Sequence, residues 1–131
     1  MVSTPTAPIL LVEDEPSLQS LLRRFLNAKG ASVVCSGTVA EATAACRAQQ
    51  FSAAVVDVSL PDGSGLELVN SLHSMQPHLL VVISSGLPIS PSEVGLPTDA
   101  RWAVLQKPYL PGQLWALLES EFTEKSRAAS A

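Results

Sequence analysis

Large rings and basic side chains are both scarce in this chain. Aromatic residues make up 5% of its 131 positions and hydrophobic residues 47%, so a core must be assembled from Leu, Val, Ile and Ala, which favours a layered α/β interior. Lys and Arg number 8 against 12 Asp and Glu, and only Arg23 and Arg24 stand side by side. That scatter excludes a phosphate-backbone footprint and argues against direct nucleic-acid binding. The two cysteines, Cys35 and Cys46, supply neither a disulfide framework nor a zinc spacing and read as reduced core residues. No apolar run approaches the ~20 residues that span a bilayer, so no membrane insertion is expected. Residues 1–8 hold no basic group, and the apolar run behind them is stopped by Glu13, Asp14 and Glu15; this is no ordinary signal peptide, and a cytoplasmic location is expected.

What the chain does have is a regular alternation. Short apolar runs at residues 9–12, 31–35, 53–56, 79–83 and 103–105 are continuous rather than alternating, as parallel strands covered on both faces require. Between them lie helical patterns. Leu18, Leu21, Leu22, Phe25 and Leu26 follow a helical repeat that begins near Pro16 and stops at Gly30. Thr38 with Glu41, and Ser64 with Glu67, predict capping boxes for a second and a third helix. The last helix starts near Pro111, with Leu114, Leu117, Leu118 and Phe122 turned inward. Between Ser85 and Trp102, Pro88, Pro91 and Pro97 leave room for only a short or distorted fourth helix, with Ser90 as cap, Pro91 at its first position, Glu93 completing a box and Ile89 stapled to Val94. The expectation is a doubly wound five-stranded parallel sheet with helices on both faces and right-handed crossovers. It forms one domain over residues 8–123 with flexible extensions at 1–7 and 124–131.

In such a sheet, ligands bind beyond the carboxyl ends of the strands, where the winding reverses. Glu13 and Asp14 end the first strand, Asp57 the third, Ser84 and Ser85 the fourth, and Lys107 with Pro108 the fifth. Three gathered carboxylates repel one another unless a cation compensates them. An all-oxygen set without His or Cys matches a hard ion that keeps some of its waters, which points to magnesium rather than zinc. A divalent ion and Lys107 together balance the three negative charges, leaving Asp57 ionised and able to attack phosphorus. The metal, Lys107 and the Ser85 hydroxyl can neutralise transferring phosphoryl oxygens.

The segments LLVEDEP, VVDVSLPDGSG, VVISSG and LQKPY together resemble the signature of response-regulator receiver domains of two-component signalling. The resemblance runs from about Ile9 to Phe122. It implies the flavodoxin-like strand order 2-1-3-4-5, Asp57 as phosphoacceptor, and a magnesium site of Glu13, Asp14, Asp57 and the backbone carbonyl of Ser59. It also implies Ser85 and Lys107 as phosphoryl contacts and a cis Lys107–Pro108 bond. Spacing to Lys107 selects Ser85, although strand register can exchange it with Ser84. The implied donor is a phosphohistidine on a sensor histidine kinase or a histidine phosphotransfer protein, and the implied output is an as yet unidentified downstream protein.

Two departures from the family pattern stand out. Val104 occupies the place of the aromatic residue whose ring moves on activation, with Trp102 two residues earlier on the same strand face, and the proline-rich stretch occupies the place of a full fourth helix. Activation is therefore expected to move residues 86–97 rather than a ring. The leading functional reading is a phosphorylation-dependent module that turns over no separate metabolite. The alternative is a pseudo-receiver that binds proteins without phosphate control. An aspartyl-phosphate phosphatase of the haloacid-dehalogenase kind fits poorly, because Ser59 stands where such enzymes carry a second Asp. A nucleotide-binding role lacks the Gly-rich loop after the first strand. His73 and His78 read as surface residues, and Trp115 as helix packing or a partner contact.

Overall fold

The computed structural model of the chain describes residues 7–130, with side chains as far as Glu121. Residues 1–6 and 131, which belong to the two expected flexible extensions, and the side chain of Phe122 lie outside that description. Strands β1 (Ile9–Val12), β2 (Val33–Ser36), β3 (Ala53–Asp57), β6 (Leu80–Ser85) and β7 (Trp102–Gln106) form one sheet in the order β2-β1-β3-β6-β7. All four pairings are parallel. With the two-residue strands β4 (Ser59–Leu60) and β5 (Gly63–Ser64) set aside as a separate antiparallel hairpin, this is the 2-1-3-4-5 order expected from the sequence.

The strands are apolar up to their carboxyl ends because successive side chains enter different layers. Ile9, Leu11, Ala53, Val55, Leu80 and Val82 pack with Leu22 and Leu26 of α1 (Pro16–Ala28) and Leu114 and Leu118 of α5 (Pro111–Ser130). Leu10, Val12, Ala54, Val56, Val81 and Ile83 pack on the opposite face. Their partners there come from α2 (Val39–Ala48), α3 (Gly65–Met75) and α4 (Pro91–Val94). Helix α5 continues to Ser130, beyond the end near Phe122 that the apolar spacing marks.

Local sequence accounts for most of the helix ends. Glu15 caps α1, its carboxylate accepting the N–H groups of Ser17 at 3.1 Å and Leu18 at 2.7 Å. Thr38 caps α2 through the Glu41 N–H at 3.1 Å, but the Glu41 carboxylate reaches one residue further back than a capping box requires, to the Gly37 N–H. A second cap on α2 is non-local: Asp62, in the hairpin turn, accepts from Val39 at 2.7 Å and Ala40 at 3.1 Å. Helix α4 is a single turn between Pro91 at its start and a left-handed Gly95, φ +69°, at its end. Glu93 accepts from the Ser90 N–H and hydroxyl, and the Asn70 amide ties the Val94 carbonyl to α3 at 2.9 Å.

One expectation of the inward stripe fails: Leu21 is 53% exposed, because α1 turns only Leu22 and Leu26 fully inward and Leu21 falls on the solvent edge. Buried Gln76, just past α3, was not foreseen. Its side chain accepts from the Phe51 N–H and donates to the carbonyls of Cys46 and Gln49, so it ends α2 and orders the entry to β3. Cys35 and Cys46 are both free thiols, and Cys46 is buried.

Candidate functional site

The reversal of winding falls between β1 and β3, which lie side by side. Glu13 directly follows β1, and Asp57 is the last residue of β3. The side-chain alternation that sends Leu11 and Val55 towards α1 and α5 sends Glu13 and Asp57 to the same side, at the open rim. Glu13, Asp14 and Asp57 offer carboxylate oxygens that all lie within 4.8 Å of one another; Asp14 is exposed while Glu13 and Asp57 are buried.

Lys107, just past β7, closes the group. Its Nζ lies 3.1 Å from Glu13 Oε1 and 3.1 Å from Asp57 Oδ2. The second oxygen of each acid has a backbone donor: Glu13 Oε2 accepts from Glu15 at 3.1 Å, and Asp57 Oδ1 accepts from Ser59 at 3.1 Å. Gln19 secures the acidic turn from α1 by donating to the Glu13 carbonyl at 2.8 Å. Lys107 in turn is seated by its N–H, which donates to the Ser85 carbonyl at 2.7 Å. The Lys107–Pro108 bond is cis.

Burial pushes the Glu13 carboxyl up and Asp57 adds to the push, against the Glu15 N–H and Lys107, which lower it. Burial alone would lower the Lys107 ammonium, but hydrogen bonds and charges from Asp57 and Glu13 outweigh it and raise it. One lysine thus pairs with two of the three gathered carboxylates, and the charge left over calls for a further hard cation. The donors are oxygens only, which fits magnesium.

The two serines at the end of β6 face different ways. Asp57 is the direct partner of Ser84 across the β3–β6 pair, so Ser84 shares its face of the sheet, whereas Ser85 follows the parity of Ile83. The Ser85 hydroxyl is engaged with its own loop, donating to the Leu87 carbonyl at 2.8 Å and accepting from the Leu87 N–H at 3.1 Å. Ser85 therefore stands at the rim beside the acids, but its hydroxyl is not directed to Asp57 or Lys107. Ser59 flanks Asp57 at the start of the hairpin, exposed to solvent. Val104 and Trp102 pack in the α2–α4 layer with Ile89 and Leu96. His73 is half-buried with an unpartnered Nδ1, and His78 is exposed.

Tyr109 is the neighbour that sequence reading passed over. Its ring packs in the α1–α5 layer, and its hydroxyl is fully buried without a hydrogen-bond partner, as is the Ser84 hydroxyl. An aromatic residue two positions beyond the strand-end lysine was the available signal.

This arrangement matches a known one: the model described as "Response regulator receiver domain" fits residues 9–119. The chain belongs to this family. Among curated relatives of the receiver domain is the probable transcriptional regulatory protein TcrX of Mycobacterium tuberculosis. It is 37% identical over 75 residues, 57% of this chain and 32% of that protein. Another is the sensor protein TorS of Escherichia coli, 35% identical over 75 residues, 56% of this chain and 8% of that protein. The matched stretch is thus a third or less of each. A solved receiver domain from Methanospirillum hungatei superposes with a TM-score of 0.83 at 24% identity, covering 96% of this chain and 99% of that one. One from Methylobacillus flagellatus gives 0.76 at 25%, covering 90% and 98%. Receiver domains of this kind work with sensor kinases and downstream effectors in two-component systems. No helix among the described residues is long and apolar enough to cross a membrane.

Proposed function

We propose that this receiver domain accepts a phosphoryl group on Asp57 from a phosphohistidine and passes the signal to a partner protein. The observation that carries the reading is the Lys107 ammonium shared at 3.1 Å by Glu13 and Asp57, with Asp14 beside them. Glu13, Asp14, Asp57 and the carbonyl of Ser59 would hold a magnesium ion, which when bound neutralises charge on the transferring oxygens. An oxygen of Asp57 forms a bond to phosphorus while the bond between phosphorus and the histidine nitrogen breaks, its electron pair leaving with the imidazole. Lys107 pairs with Asp57 beforehand and can follow the phosphoryl oxygens afterwards. The Ser85 hydroxyl can join them once it releases Leu87.

On this reading the protein catalyses only its own phosphorylation and dephosphorylation and turns over no separate metabolite. Its donor is a sensor histidine kinase or a histidine phosphotransfer protein, its location is cytoplasmic, and its functional unit is residues 8–123. The kinship to TorS, named as a sensor protein, and to TcrX, named as a transcriptional regulator, suits a place in such a relay.

Val104 and the inward-tied Ser85 hydroxyl favour the second reading, a pseudo-receiver that binds partners without phosphate. Incubation with magnesium and acetyl phosphate separates the two. Wild type is expected to gain one phosphoryl mass that requires magnesium, and Asp57→Asn to gain none. Equal labelling of the variant, or none of wild type by acetyl phosphate or any phosphohistidine donor, removes the first reading.

A further inference from the structure

The two oxygens of Asp57 are held from different sides, Oδ1 by the Ser59 N–H and Oδ2 by the Lys107 ammonium, each at 3.1 Å. A carboxylate gripped at both oxygens cannot turn about its last bond without losing one partner. Lys107 has a seat of its own, through its N–H to the Ser85 carbonyl. The Ser59 N–H belongs to a peptide unit whose other side, the Val58 carbonyl, accepts from the Gly65 N–H at 2.8 Å. That unit closes the base of the β4–β5 hairpin, and being planar it turns as the hairpin turns. The hairpin has only two residue pairs, Ser59 with Ser64 and Leu60 with Gly63, and a ladder so short does not hold its own direction.

Its tip is anchored from another part of the chain. Both oxygens of Asp62 are engaged, Oδ1 by the Val39 N–H at 2.7 Å and Oδ2 by the Ala40 N–H at 3.1 Å. The contact extends to the next residue, since a Cβ on Gly63 would lie 3.3 Å from Val39 Cγ2. A carboxylate over the first turn of a helix meets the positive end of its dipole, and bonds to two successive N–H groups fix its orientation as well as its position. Helix α2 is seated by Ala42 and Cys46 in the layer against which Leu60 also packs, and it has a local cap in Thr38, which accepts from the Glu41 N–H. Removing Asp62 thus leaves the helix one of its caps but leaves the hairpin tip without its anchor.

We propose that Asp62 is a positioning residue for Asp57: by clamping the hairpin tip to α2 it keeps the Ser59 N–H on Asp57 Oδ1 and so fixes the direction in which the carboxylate is presented. The consequence for phosphoryl transfer rests on Asp57 being the phosphoacceptor, because in-line attack tolerates little misdirection of the attacking oxygen.

The test compares wild type with Asp62→Ala, Asp62→Asn and Thr38→Ala at a temperature where all are folded. Thr38→Ala is the control, because it removes a cap from the same helix without touching the hairpin. Labelling by acetyl phosphate with magnesium is expected to be about 3- to 10-fold slower in Asp62→Ala, the worth of the one Ser59 hydrogen bond. Asp62→Asn, which keeps a side-chain oxygen for one of the two N–H groups, should fall between. Thr38→Ala should label at the wild-type rate. A rate within twofold of wild type in Asp62→Ala, or an equal slowing in Thr38→Ala, overturns the proposal.

A second readout needs neither label nor metal. In the metal-free protein, exchange of the Ser59 N–H with water should be about 3- to 10-fold faster in Asp62→Ala and unchanged in Thr38→Ala; an unchanged Ser59 amide in Asp62→Ala overturns the clamp. If wild type takes up no label while the Ser59 amide loosens as expected, the phosphoacceptor reading falls and the positioning of the Asp57 carboxylate stands.

Discussion

A side chain at position 65 would collide with the backbone at Asp57: a Cβ on Gly65 would lie 2.0 Å from the Asp57 carbonyl oxygen and 2.7 Å from the Val58 Cα. Neither atom can swing aside, because the Val58 carbonyl accepts from the Gly65 N–H at 2.8 Å and the Val58 N–H donates to Ser84 at 3.0 Å. Gly65→Ala should therefore destabilise the fold by about 3 kcal/mol, the upper range of overpacking. Urea denaturation checks this, and a change under about 0.5 kcal/mol would mean that the loop yields freely.

The acidic corner should trade stability for function. Burial holds the Glu13 carboxyl above its ordinary value of 4.5, so the folded state binds this proton more readily than the unfolded chain. Its contribution therefore falls as pH rises from about 4.5 through the raised value. Metal-free Glu13→Gln should melt higher than wild type at pH 7, with the gap closing at pH 4. Magnesium should raise the melting temperature of wild type and do so much less in the variant. An identical magnesium response would remove Glu13 from the metal site.

Lys107 follows the same linkage sign in a higher pH window. Its ammonium is held above its ordinary value of 10.5, so its stabilising effect is complete below that pH and is lost as pH rises through the raised value. In Lys107→Met the metal-free protein should lose part of its alkaline melting transition and should melt lower at pH 7, since Glu13 and Asp57 then face each other uncompensated. Thermal melts between pH 7 and 12 decide it, and equal pH profiles for the two proteins would contradict the shared ion pair.

Gln76 offers a test far from the chemistry. Truncation to Ala strands the Phe51 N–H and the Cys46 and Gln49 carbonyls that it now satisfies. A loss of about 2–4 kcal/mol is expected, with phosphorylation of Asp57 unchanged at temperatures where the variant is folded. A stability within about 0.5 kcal/mol of wild type would mean that water replaces the amide without cost.

The strands were legible because each carries two apolar faces, as Ile9 and Leu11 against Leu10 and Val12 illustrate; no other element packs so many apolar residues in so short a run. The single-turn α4 was legible too, from Ser90, Pro91 and Glu93. Leu21 was misjudged because a helical repeat defines a stripe but not which edge of it meets solvent. The hairpin of Ser59–Leu60 with Gly63–Ser64 is too short for any periodicity and is pinned from a distance by the bonds from Val39 and Ala40 to Asp62. At the site, the acids and Lys107 could be read because strand ends converge by topology. The Ser85 hydroxyl could not, since a turn within its own loop captures it, and the burial of Tyr109 depends on the path of the chain after Lys107.

The Ser85–Leu87 turn makes chemistry and shape inseparable. A phosphoryl oxygen can recruit that hydroxyl proton only by taking it from the Leu87 carbonyl, and Leu87 is an apolar side chain already 76% exposed. On the proposed phosphotransfer, occupying the acidic corner would therefore loosen a greasy tip several residues ahead of α4, and a charge placed on one side chain would be read out as slack in a neighbouring stretch of chain.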